Sequence, residues 1–132
     1  AVFGLTENYK TLGYVSHQEA IQIQHDVQVL LLVEMDSPET KSIIPGKLFE
    51  YIAANRPILA IGPDGSDVER ILKETNAGVY FTYTEKEKLK NQLQFYYEAY
   101  LKANLNVNSQ NTEKYSRSAL TKRLSNVLLN IK

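Results

Sequence analysis

Apolar residues along the chain fall into two alternating patterns. In three places they stand side by side: Val27 to Val33, Ile58 to Ile61 and Val79 to Tyr83. Elsewhere they recur every three or four positions, which is the spacing of one helix face. The side-by-side runs predict strands. Val27–Val33 is apolar enough to expect cover on both of its faces, as in a parallel sheet. Lys10 to Val15 predicts a further short strand, broken at Gly13, while residues 1–8 stay open between a strand end and irregular chain. The helical spacing predicts five helices. The first buries Ala20, Ile21 and Ile23 and ends near His25 and Asp26. The second has a stripe of Leu48, Phe49, Ile52 and Ala53, and the third one of Val68, Ile71 and Leu72. The fourth runs through Leu89, Leu93, Tyr96, Tyr97, Tyr100 and Leu101, the tyrosines read as packing residues. The last, within 111–132, carries Leu120, Leu124, Val127, Leu128 and Ile131.

Punctuation between these patterns is consistent with them. Ser16–Glu19, Ser66–Glu69 and Thr84–Glu87 have the spacing of capping boxes, in which a hydroxyl and a carboxylate satisfy each other's orphan backbone donors. Pro57 closes one helix and opens a strand. Gly62-Pro63-Asp64-Gly65 is a turn, and the polar stretch 104–112 is an exposed connection. Strands alternating with helices give an α/β fold with an open parallel sheet flanked by helices. In such sheets ligands bind beyond the carboxyl ends of the strands. The loops after Val15, Val33 and Ile61 are expected at that edge, together with the helix start at Pro45-Gly46.

That helix start carries the candidate chemistry. Proline is tolerated in a first turn, and Gly46 allows another group to come close to the backbone. Uncapped N–H groups there favour an anion such as a diphosphate, and Lys47 adds a point charge. Glu50 stands one turn on, on the same side, as an acceptor for a ribose diol. Ile43 and Ile44 either line the pocket or seat the loop on the core. Glu34, Asp36 and Glu39 cluster after a strand but lack the fixed loop of oxygen ligands that a hard cation needs, so they read as solvated carboxylates and no metal is expected. His17 and His25 do not have the i, i+4 spacing of paired zinc ligands.

The bulk properties narrow the partners. The chain has 132 residues, 43% of them hydrophobic, enough for one domain with a core. Fifteen basic and fifteen acidic residues cancel, which gives no support for a nucleic-acid partner. There is no cysteine, and no apolar run approaches the ~20 residues of a membrane span.

Ile44-Pro-Gly-Lys-Leu-Phe-Glu-Tyr-Ile-Ala-Ala-Asn-Arg-Pro-Ile-Leu-Ala60 resembles the nucleotide-sugar helix of retaining glycosyltransferases of the group 1 family, also called family 4. Leu12 to Ala20, Asp26 to Leu32 and Gly62 to Asp67 extend the resemblance in order and spacing. It covers residues from about Tyr9 to Ile131. The resemblance implies a Rossmann-like unit, 1–132, forming part of the C-terminal, donor-binding domain of a two-domain GT-B enzyme. It implies a nucleoside-diphosphate sugar as donor substrate, with no further cofactor. Glu50 would hold the ribose hydroxyls, Gly46 and Lys47 the diphosphate, Ser42 and Ile44 the donor pocket, and the backbone of Gly13, Tyr14 and Val15 the nucleobase. Family members usually carry a glutamate where Ser42 stands, and also an Arg and a Lys, ahead of the segment matching Tyr9, that have no counterpart here. The acceptor-binding N-terminal domain is likewise not matched. The implied setting is bacterial surface polysaccharide or lipopolysaccharide assembly, in the cytoplasm or at the inner face of the membrane. The chain alone is then expected to be inactive in transfer and to bind donor weakly, and its sheet edge is expected to favour self-association. Two rivals remain. One is a flavodoxin-like receiver with Asp36 as phospho-acceptor, which lacks the usual acidic pair and lysine. The other is a nucleotide-sugar epimerase of the same two-domain fold.

Overall fold

A computed structural model describes residues 3–131; Ala1, Val2 and Lys132, and with them the parts of the opening and closing segments they belong to, lie outside the described residues. The fold is α/β. Strands β1 (Leu30–Val33), β2 (Ile58–Gly62) and β3 (Gly78–Thr82) form one parallel sheet in the order β1-β2-β3. Leu30 pairs with Ile58 and Ile58 with Gly78, so the strands start level. Helices α1 (His17–Asp26), α2 (Lys47–Ala54), α3 (Asp67–Thr75), α4 (Lys86–Leu101) and α5 (Arg117–Leu129) surround or extend from it.

The period of two along each strand sorts the core into two halves. Leu30, Leu32, Ile58 and Ala60 point to one face, where α2 and α3 bring Leu48, Ile52, Val68, Ile71 and Leu72. Leu59 and Phe81 point to the other, where α4 brings Tyr96. Leu48 is fully enclosed. Burial of such a side chain contributes about 1.5–3 kcal/mol, and this is what holds α2 against the sheet.

β1 is shorter than the apolar run that predicts it, because Val27 and Val29 lie before the first ladder bond. It is also covered on one face only. Leu31 is 57% exposed and Val33 51%, since α4 crosses over β2 and β3 and stops short of β1. Lys10 to Val15 forms no strand: the segment has no partner in the sheet, and Gly13 turns it with a positive φ.

The helix ends follow local chemistry. Ser16 and Glu19 form the reciprocal capping box of α1. At α3, Ser66 Oγ accepts from the Val68 N–H, but Glu69 reaches back to the Gly65 N–H, one residue beyond a capping box. The box at Thr84–Glu87 does not form. α4 starts at Lys86, and Glu85 instead folds back to accept from the Thr82 N–H at 2.9 Å. Asn55 and Asn76 end α2 and α3 in the left-handed conformation, which asparagine tolerates.

Four helical stripes are less buried than their spacing suggests. In α1, Ile21 is exposed while Ala20 and Ile23 are half-buried; in α2, Ala53 is exposed and Ala54 takes its place in the core. In α4 only Tyr96 and Ala99 are buried, and Tyr97 and Tyr100 face outward. α5 follows a separate short 3-10 turn, Thr112–Tyr115, from which the extended Ser116 divides it. Its whole apolar stripe is exposed. Among the described residues no helix is long and apolar enough to cross a membrane.

Candidate functional site

The loops after β1 and β2 and the starts of α2 and α3 meet at the carboxyl edge of the sheet. The chain enters α2 through Pro45 and Gly46. Gly46 is already helical (φ −54°, ψ −35°), so it lacks the extended backbone of an ordinary N-cap, and no side chain caps the helix. The Leu48 and Phe49 N–H groups turn back onto Pro45 O and Gly46 O at 3.0 and 3.2 Å. The N–H groups of Gly46 and Lys47 meet no acceptor among the described residues. A Cβ on Gly46 would meet nothing within 4 Å, so the approach to this backbone is open.

Beside it lies a cavity of about 270 Å³ lined by Val33, Met35, Ile43, Pro45 and Lys47 among others. It is small for a ligand site and open to solvent, with largely apolar walls to which Thr40, Lys47 and the buried carboxylate of Glu34 also contribute. Ile43 and Ile44 divide the two roles that the sequence leaves open between them. Ile43 lines the cavity, whereas Ile44 packs on the core under α2 and α3. Ser42 is exposed and is not part of the lining. Tyr14 is 100% exposed and Val15 half-buried, and neither lines the cavity.

Glu50 is half-buried on α2. One of its oxygens accepts from Gln24 Nε2 of α1 at 3.2 Å, so the carboxylate is engaged with the neighbouring helix. Arg56 Nε donates to His25 O at 2.8 Å and pins the end of α1 to the turn after α2.

Glu34 departs most from expectation. It is not a solvated loop carboxylate but is 8% exposed, on the same face as Leu30 and Leu32. Its backbone N–H continues the ladder to Ile61 O at 2.8 Å. Its side chain accepts from Ser66 Oγ at 2.8 Å and from Tyr80 Oη at 2.7 Å, and Tyr83 Oη donates to its carbonyl. Burial, and next the bond to Glu34, raise the Tyr80 phenol well above its ordinary value. Asp36 and Glu39 are exposed. The Ser37 hydroxyl donates to Glu39 and holds that carboxyl below the usual range. The run Val29–Val33 is apolar at every position, so nothing in the sequence says that position 34 continues the inward face.

A second, larger cleft of about 600 Å³ lies between the ends of β2 and β3. Asp36, Asp64, Glu69 and Glu85 line it and no lysine does, so it repels a diphosphate and offers no lysine to assist a phospho-acceptor at Asp36. Among the described residues no group of three or more potential metal ligands converges.

Comparison with protein-family models, with curated proteins and with solved structures gave no match.

Proposed function

We propose that this chain is the donor-binding part of a retaining glycosyltransferase that takes a nucleoside-diphosphate sugar. The observation that carries the reading is the open start of α2. Two unpartnered backbone N–H groups and Lys47 stand at the carboxyl edge of a parallel sheet, next to an apolar-walled cavity. A diphosphate suits those donors, because the partial positive charge of a helix N-terminus and a lysine act on the same group. Glu50, one turn further along α2, suits the ribose hydroxyls. The likeness of the Ile44–Ala60 segment to group 1 glycosyltransferases supplies the sugar and the transfer. Neutralising the charge that builds on the departing diphosphate lowers the barrier to breaking the glycosidic bond. Retention of configuration and an acceptor hydroxyl in bacterial surface polysaccharide or lipopolysaccharide assembly belong to the same proposal.

Ligand-detected NMR with UDP, GDP and their sugars, on wild type and Glu50→Ala, tests the reading. One nucleotide should bind, with affinity about tenfold weaker in the variant, the range of a lost charge-assisted hydrogen bond. Absence of binding to every nucleotide by the wild-type chain overturns the reading.

A further inference from the structure

The bond between Gln24 and Glu50 links two helices, α1 and α2, that pack side by side. Glu50 is placed by α2, which the core fixes through Leu48 and Ile52. Gln24 is placed by α1, whose end is tied to Arg56 by the hydrogen bond to His25 O. The amide must present its NH2 to the carboxylate, since its own oxygen there would face another acceptor. A glutamate on a helix surface samples several rotamers and loses that freedom when it binds. Held by Gln24 at Oε2, Glu50 has already lost it, while Oε1 meets no donor among the described residues. Because the amide is neutral, it orients the carboxylate without cancelling its charge, as a lysine at the same place would do.

We propose that Gln24 is a positioning residue for Glu50, holding one carboxylate oxygen so that the group is preset to accept the hydroxyls of a ribose diol. This rests on the donor-site reading above and adds to it a residue on a different helix. The consequence is that preference for a ribonucleotide depends on how α1 docks on α2.

The test compares UDP and GDP with their 2′,3′-dideoxy counterparts, titrated by NMR into wild type, Gln24→Met and Gln24→Lys, with denaturation midpoints measured alongside. Wild type should favour the ribonucleotide. Gln24→Met keeps the side-chain volume and removes the donor. It should weaken ribonucleotide binding about threefold to fivefold, as expected for one lost orienting bond, and leave dideoxynucleotide binding unchanged. Gln24→Lys keeps a donor but sets a positive charge against the carboxylate, so it should lower the ribonucleotide preference as well; an unchanged preference there would show that the neutral amide is not needed and would overturn the assignment. A wild-type ratio in Gln24→Met overturns the assignment while the donor-site reading survives. Equal losses for both nucleotides would mark a purely structural contact and also overturn it. Failure of wild type to bind any of the four overturns the donor-site reading, and this assignment with it.

Discussion

α2 and α3 begin at the same edge of the same sheet, each after a strand and a loop, yet their first turns are built in opposite ways. At α3 the donors are consumed internally. Asp67 N–H donates to Lys41 O at 2.8 Å, Val68 N–H to Ser66 Oγ at 3.1 Å and Gly65 N–H to Glu69 Oε2 at 3.2 Å. Ser66 in turn is held by the buried Glu34, which also receives Tyr80. At α2, glycine stands where α3 has its capping serine; the Leu48 N–H closes on Pro45 O, while the N–H groups of Gly46 and Lys47 are left open beside the lysine side chain. An uncapped helix start gives up about 1 kcal/mol relative to a capped one. The closed start therefore contributes to stability, and the open one leaves its donors for an anion. Open donors also need a surrounding that does not move, and the α3 side supplies it, since the loop leading into α2 is anchored to α3 through Lys41 O.

The contrast can be broken most severely at Gly62. A Cβ there would press on Tyr80 Oη and come within 2.5 Å of Glu34 Oε2, inside a network with no slack. Gly62→Ala should lose about 3 kcal/mol of stability in urea unfolding, the sum of overpacking and a damaged buried hydrogen bond. Ser66→Ala removes the α3 cap and one donor to buried Glu34. It should cost about 2 kcal/mol, measured the same way.

Tyr80→Phe should cost about 1 kcal/mol and also change the alkaline limb of the stability curve. The Tyr80 pKa is raised in the fold above its ordinary value of 10. The neutral phenol is thus the stabilised form. Its contribution is complete below pH 10 and is lost as pH rises through the folded value. Wild type should lose stability above pH 10 more steeply than Tyr80→Phe, with the remaining slope due in part to Tyr51, Tyr83 and Tyr96, whose pKa values burial also raises. Equal slopes for the two proteins would contradict the role given to the Glu34 bond.

Gly46→Ala sharpens the comparison from the other side. The backbone is already helical and the new methyl meets nothing, so stability should change by no more than about 0.5 kcal/mol. Nucleotide binding should nonetheless weaken several-fold, because the methyl stands where the phosphate must approach. A variant that binds as wild type does would show that the open start is not the binding surface.

The architecture was legible because periodicity speaks directly to burial. Ile58–Ile61 and Leu48 with Ile52 lie where their patterns put them, and Asn55 and Asn76 end their helices as short polar residues do. The failures share one cause: a pattern tells which residues prefer cover, not whether a neighbour is there to supply it. Leu31 and Val33, Tyr97 and Tyr100 of α4 and the α5 stripe all have the right spacing and no covering element. Lys10–Val15 has strand composition, but its backbone finds no partner in the sheet. The proline-glycine entry and the one-turn spacing put Gly46, Lys47 and Glu50 on the first turns of one helix, and α2 carries them there. Glu34 was not legible, because its burial depends on Ser66 and Tyr80, residues that only the folded sheet brings to it. Gln24 escaped notice for the same reason: its partner is 26 positions away on another helix.

On the proposed function, the start of α2, and not that of α3, receives the diphosphate. Backbone amide NMR during titration with UDP and GDP tests it directly. The account predicts that the amide signals of Gly46 and Lys47 move most, while those of Asp67 and Val68 stay in place. Shifts concentrated at Asp67 and Val68, or none at Gly46 and Lys47 while nucleotide binds, would contradict it.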